Sequence, residues 1–287
     1  MKKITGRLLL LCFALGTIGV CRAQEQSMAP PKVLLIIREF LKPGKAGSPH
    51  LKTESAFVNA FTAAKWPQHY FAVDSMSGMP RSLFLVGYDS FADWEKDNSA
   101  TQKNAALSAA LDKASVADGE LLSSYESSTF VFREDLSFQA SVNIAQMRYF
   151  EISRFHVKPG HGKEFEAIVK MYQDGYKKAV PDSHWAVFED MYGKDSGGSF
   201  VLFVPMKSLA EVDKGFGDSK KFSDAMGEEG MKKLSGLTAS AMDQAESNLF
   251  VFNPKLSYPP AEWIKADPEF WKPKATAPAK IPAKPAQ

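Results

Sequence analysis

Five histidines and two arginines are the residues of this chain whose types could do chemistry. The histidines are His50, His69, His156, His161 and His184, and none stands two or four positions from another, so no metal-binding pair is preformed on a strand or helix. His161 falls in a turn after Pro159-Gly160 and is expected to face solvent, and His50 occupies the corresponding loop of an earlier stretch. His156 and His184 are expected on strands. By alternation His156 shares a face with Arg154, Ile152 and Phe150. If that face lines an apolar chamber, an imidazole and a guanidinium there could hold an anionic or enolate-like ligand, or the imidazole could ligate haem iron. If it lies at an edge, they are rim residues. Arg38 and Arg154 stand at matching positions, and a strand arginine is rarely buried unpaired, so a salt bridge across the two halves is the competing expectation. Tyr70 and His184 also match, beside Phe71 and Trp185, where aromatic rings more often fill a core than bind a ligand. The candidate ligand-binding set is therefore Arg154, His156, His184, Trp185, Arg38 and Tyr70. No catalytic residue is assigned and no metal ligand is expected.

Other chemistries leave no mark. There is no G-x-S-x-G elbow, no phosphate-binding glycine loop and no dinucleotide fingerprint. Lys2, Lys3 and Arg7 followed by the apolar run Leu8–Val20 and Cys21-Arg22-Ala23 read as a secretory leader cut after Ala23, and the run is too short to span a membrane. Export to the periplasm or medium is expected. Both cysteines, Cys12 and Cys21, lie in that leader, which excludes disulfides, a thiolate nucleophile and cysteine-ligated zinc from the processed chain. Cleavage would leave 31 basic against 33 acidic residues, a net charge of −2, so no basic field suggests nucleic acid. At the other end Lys272–Gln287 is Pro-, Ala- and Lys-rich, the composition of an extended tail.

The elements that must position these residues are written twice. Arg38–Gly44 (REFLKPG) answers Arg154–Gly160 (RFHVKPG), Tyr70–Val73 (YFAV) answers His184–Val187 (HWAV), and Glu126-Ser127 with Phe130–Phe132 answers Glu246-Ser247 with Phe250–Phe252. Offsets of 116, 114 and 120 describe a repeated unit of domain size, longer than solenoid repeats. Each unit reads βαββαβ, the ferredoxin-like order, with an extra short helix after the third strand. The expected divisions are 1–23 leader, 31–140 first unit, 146–258 second unit and 259–287 a largely disordered tail. Strands such as Val33–Ile37 and Phe200–Val204 are apolar at consecutive positions, so both sheet faces need burial. Two units with their bare faces together meet that need as a closed or nearly closed β structure with helices outside.

The run RFHVKPGHGKEFEAI, Arg154–Ile168, resembles the opening strand, turn and helix of the dimeric α+β barrel proteins, in their antibiotic-biosynthesis-monooxygenase and NIPSNAP-like branches. The first unit keeps REFLKPGKAG and then departs into SPHLKTESAF. The resemblance implies an α+β fold in which tandem duplicated ferredoxin-like units form an intramolecular version of a barrel that most members build from two chains. The group contains cofactor-free monooxygenases, haem-handling enzymes, small-ligand binders and members without known chemistry. The expectation is an exported protein that binds a small apolar molecule in a barrel cavity, as a monomer, without nucleic acid, a membrane span or a required cofactor. The alternatives are a cofactor-independent monooxygenase or haem-handling enzyme, and a non-catalytic structural or interaction protein.

Overall fold

The computed structural model describes residues 27–194 and 196–272; the expected leader and the tail beyond residue 272 lie outside the described residues. Strand β1 (Val33–Leu41) is β-branched and apolar, and Lys42-Pro43-Gly44 ends it. Helix α1 (Ser48–Ala64) opens with Pro49 in its first turn and closes on Lys65 in the left-handed conformation (φ 48°). The hairpin β2 (Tyr70–Ser75) and β3 (Arg81–Tyr88) follows, then α2 (Phe91–Lys103), capped by Ser90, and α3 (Ala105–Gly119), capped by Asn104. Strand β4 (Leu122–Phe132) completes the first half.

The second half repeats the order with β5 (Tyr149–Val157), α4 (Gly162–Ala179), β6 (Ala186–Tyr192), β7 (Ser199–Met206), α5 (Ala210–Ala241) and β8 (Met242–Tyr258). The extra short helix expected after the third strand of the second unit and the helix that follows it are joined within α5. Its break is confined to Gly227, whose φ of 67° and ψ of 172° suit a residue without a Cβ.

The strands close into one antiparallel barrel in the order β1-β3-β2-β8-β5-β7-β6-β4. Each half contributes four neighbours in the same internal order, β4-β1-β3-β2 and β8-β5-β7-β6, and the seams are β2–β8 and β4–β6. The closed β structure with outer helices is thus as the doubly apolar strands demand, and among the described residues it leaves no barrel strand at an open edge. Strands β4 and β8 are longer than the short segments their apolar runs suggest. Each pairs within its own half over one length and across a seam over another, as β8 does with Met242–Val251 on β5 and Phe250–Tyr258 on β2.

Inward side chains of all eight strands form one cluster that includes Leu34, Ile36, Val73, Phe130, Phe150, Phe188, Phe203 and Phe252. Outside the barrel, Ala72, Phe84 and Leu256 lie with Leu51 of α1, while Val157, Phe165, Trp185, Val187 and Phe200 pack beneath α4. The stretch 259–272, which composition assigns to the tail, folds as α6 (Ala261–Ala266) and α7 (Pro268–Trp271). Trp263 and Trp271 are the reason: both are buried in the barrel cluster, and Trp271 Nε1 donates to the Ala145 carbonyl at 2.8 Å. Arg148 pairs with Asp267 and lies over the Phe270 ring, fixing this plug from the polar side. Among the described residues no helix is long and apolar enough to cross a membrane.

Candidate functional site

The barrel interior is divided. A cavity of about 530 Å³ occupies one end, and a smaller one of about 190 Å³ lies further along; Phe203 lines both. The larger is walled by Leu34, Phe71, Leu85, Phe150, Phe188 and Phe203, with Trp263 of α6 and the proline-rich segment 28–31 also in its lining. That segment is held by a two-bond ladder between Met28 and Val142, and Gly87 of β3 lets it approach: a Cβ there would stand 2.8 Å from Pro31 Cβ. The volume is that of a small-molecule pocket, and the wall is predominantly aromatic and aliphatic.

Its polar groups are few. His184 Nε2 lies 2.8 Å from the Pro205 carbonyl, a geometry in which the ring nitrogen donates. His69 Nδ1 lies 3.2 Å from the Tyr258 carbonyl, and its ring stacks on Tyr258 at 4.7 Å. Because a carbonyl only accepts, the neutral His69 carries its proton on Nδ1 and keeps Nε2 as a base. Lys32, Gln68 and Asp89 complete the charged and amide lining, with Gln68 donating to the Gly87 carbonyl at 2.7 Å.

The six sequence-derived candidates do not converge on one place. Alternation did put His156, Arg154, Ile152 and Phe150 on the inward face. Arg154 nevertheless lines the smaller cavity, together with Arg38, whereas Phe150 lines the larger. His156 lines neither; its Nδ1 is 3.2 Å from Ser199 Oγ on β7. His184 precedes β6 rather than lying on it, because regular pairing with β7 starts at Ala186. Trp185 lines the larger cavity while its ring stacks on Phe138 and its Nε1 donates to the Leu136 carbonyl at 3.1 Å. Tyr70 also borders this cavity, but its ring packs under α1 against Phe61, Phe84 and Tyr258. His69, absent from the candidate set, sits in the turn between α1 and β2, where nothing local marks it as facing a cavity.

The smaller cavity is a mixed-charge chamber. Arg38 donates to Ser128 Oγ at 3.0 Å; burial, and next the nearby Arg154 charge, lower its pKa. Arg154 lies 3.6 Å from Asp190 within its own half, and Arg81 pairs with Glu246 across the halves at 3.9 Å. Arg38, Arg81 and Arg154 meet Glu126 and Glu246 in the chamber lining, and Asp190 beside Arg154 supplies a third carboxylate.

No family model and no curated protein matches this chain. Among solved structures it is similar to a candidate monooxygenase from Lactobacillus acidophilus NCFM, at 7% identity and a TM-score of 0.47, over 77% of this chain and 94% of that one. It is also similar to an anthrone oxidase-like protein, at 13% identity and 0.49, over 77% and 92%. A third is a mutant chlorite dismutase from Candidatus Nitrospira defluvii, at 10% identity and 0.44, over 84% and 98%. At such identities the likeness is one of chain path and says nothing of chemistry.

Proposed function

We propose that this chain is an exported member of the dimeric α+β barrel group, built from two fused ferredoxin-like units, that binds a small, largely apolar molecule in the larger cavity. The observation that carries the reading is the cavity itself: about 530 Å³ remain open in a barrel whose inward residues could have filled it. A ligand with an apolar body and one polar end matches the lining, the end meeting His69, Lys32 or His184. Haem matches less well. His69 offers an imidazole in the lining, but the two propionates would meet a wall whose only cationic side chain besides the imidazoles, among the described residues, is Lys32.

Titration with a neutral naphthylamine dye, read by dye emission and by quenching of protein tryptophan fluorescence, tests the reading. Saturable one-to-one binding is expected. Ala186→Phe, which puts a phenyl ring into the cavity, is expected to weaken it more than tenfold while Arg154→Met in the smaller chamber leaves it unchanged. Absence of saturable binding, or equal binding by Ala186→Phe with an unaltered circular dichroism spectrum, overturns it. The His69 tautomer favours a second reading, an enzyme of the monooxygenase or haem-handling type that uses Nε2 as base or ligand. A Soret band on adding haemin that vanishes in His69→Ala would establish that alternative.

A further inference from the structure

The outer face of β1 carries a charged group that a barrel–helix interface does not need. Glu39, His50, Glu54 and Asp118 are 7%, 2%, 3% and 2% exposed, and one ligand atom from each lies within 4.8 Å of all the others. They come from three elements: Glu39 from β1, His50 and Glu54 one turn apart on α1, and Asp118 from the last turn of α3. His50 is thus in the interface and not in the loop expected for it, because α1 begins at Ser48.

His50 Nε2 is 3.0 Å from Glu39 Oε2, 3.7 Å from Asp118 Oδ1 and 3.9 Å from Glu54 Oε1. The last of these oxygens is buried and has no hydrogen-bond partner, although its side chain is only 3% exposed. The Tyr70 hydroxyl is buried without a partner as well. Three carboxylates thus share a dry site with one imidazole, which can supply at most one positive charge. Leaving such charges uncompensated is costly, and an unsatisfied carboxylate oxygen adds to the cost.

We propose that Glu39, His50, Glu54 and Asp118 form a structural site for a divalent transition-metal cation of the Zn2+ or Mn2+ class. The donor set is one imidazole nitrogen with carboxylate oxygens, which suits borderline cations better than Mg2+ or Ca2+, whose preference is for oxygen alone. A tetrahedral ion with bonds of about 2.1 Å needs donors about 3.4 Å apart. The three separations from His50 Nε2 run from 3.0 to 3.9 Å and bracket that value, and the carboxylate oxygens, within 4.8 Å of one another, would draw together around the ion. Occupancy would pin α1 and the end of α3 to β1, on the opposite side of the sheet from the cavity.

The test uses the full chain, stripped with EDTA, desalted, and given Zn2+ or Mn2+ alone. One equivalent of metal retained per chain after gel filtration is expected, with a higher Tm than the stripped protein. Glu54→Gln and His50→Gln are each expected to retain none and to lose the metal-dependent rise in Tm, while His161→Gln behaves as wild type. X-ray absorption of the Zn2+-loaded wild type, which does not depend on a variant folding, is expected to show a nitrogen–oxygen shell with one imidazole. The proposal is overturned if the wild type retains no metal from either solution, if Glu54→Gln and His50→Gln retain as much as wild type, or if the absorption shell contains two or more imidazoles. A cluster held together by protons alone would give the first of these results.

Discussion

Replacing Phe203 by alanine should join the two internal cavities, and the structure sets the size of the effect. Phe203 is 4% exposed and is the aromatic side chain shared by the cavities of about 530 and 190 Å³. Removing a buried phenyl ring returns an apolar area of about 150 Å², which at roughly 25 cal/mol per Å² is about 4 kcal/mol. Two edge-to-face contacts are lost with it, to Phe150 at 5.3 Å and 71° and to Phe188 at 5.6 Å and 84°. Each such pair contributes about 0.5–1.5 kcal/mol beyond area. Core Phe→Ala changes span about 3–5 kcal/mol, the larger costs arising where neighbours cannot collapse into the space. A ring that stands between two existing voids is such a case, so a loss of about 4–5 kcal/mol is expected. Phe203→Leu keeps most of the wall and should cost under about 1.5 kcal/mol. Urea denaturation followed by tryptophan fluorescence measures both, and dye titration of Phe203→Ala should show room for a longer apolar ligand. A cost below about 1.5 kcal/mol for Phe203→Ala, with a cooperative transition, would refute the view of a rigid partition between two chambers.

Two further substitutions probe what holds the cavity's surroundings. Gly87→Ala would set a Cβ 2.8 Å from Pro31 Cβ and 2.9 Å from its Cγ, so the segment that covers the cavity must lift. A loss of about 1–3 kcal/mol and faster tryptic cleavage at Lys32 are expected, and unchanged cleavage would show that the cover is not seated on β3. Asp97 on α2 accepts from Trp66 Nε1 at 2.8 Å and from the Tyr88 hydroxyl at 2.9 Å, joining the end of α1 to β3. Asp97→Ala strands both donors in a buried setting, for an expected loss of about 2–4 kcal/mol in urea denaturation, and Asp97→Asn should recover part of it. Equal stability of Asp97→Ala and wild type would mean that water replaces the carboxylate there.

Period-two alternation is a property of the chain alone, and it determined that Phe150, Ile152, Arg154 and His156 share one face of a strand. Strands apolar at consecutive positions required burial on both sides, and that requirement already implied a closed sheet with helices outside. What alternation could not supply is depth along the barrel axis. Residues four apart on one strand sit about 13 Å apart along it, enough to place Phe150 on the larger cavity and Arg154 on the smaller. The tail showed the same limit: Trp263 and Trp271 are legible as apolar residues, but only the barrel end they plug explains why 259–272 is folded. The buried His–carboxylate group lay furthest from sequence reasoning. The spacing of His50 and Glu54 marks one face of a helix, yet Glu39 and Asp118 reach that face through the packing of α1 and α3 on the sheet. Local periodicity fixes which way a side chain points; which other side chains meet it is decided by closure and helix packing, which join residues far apart in the chain.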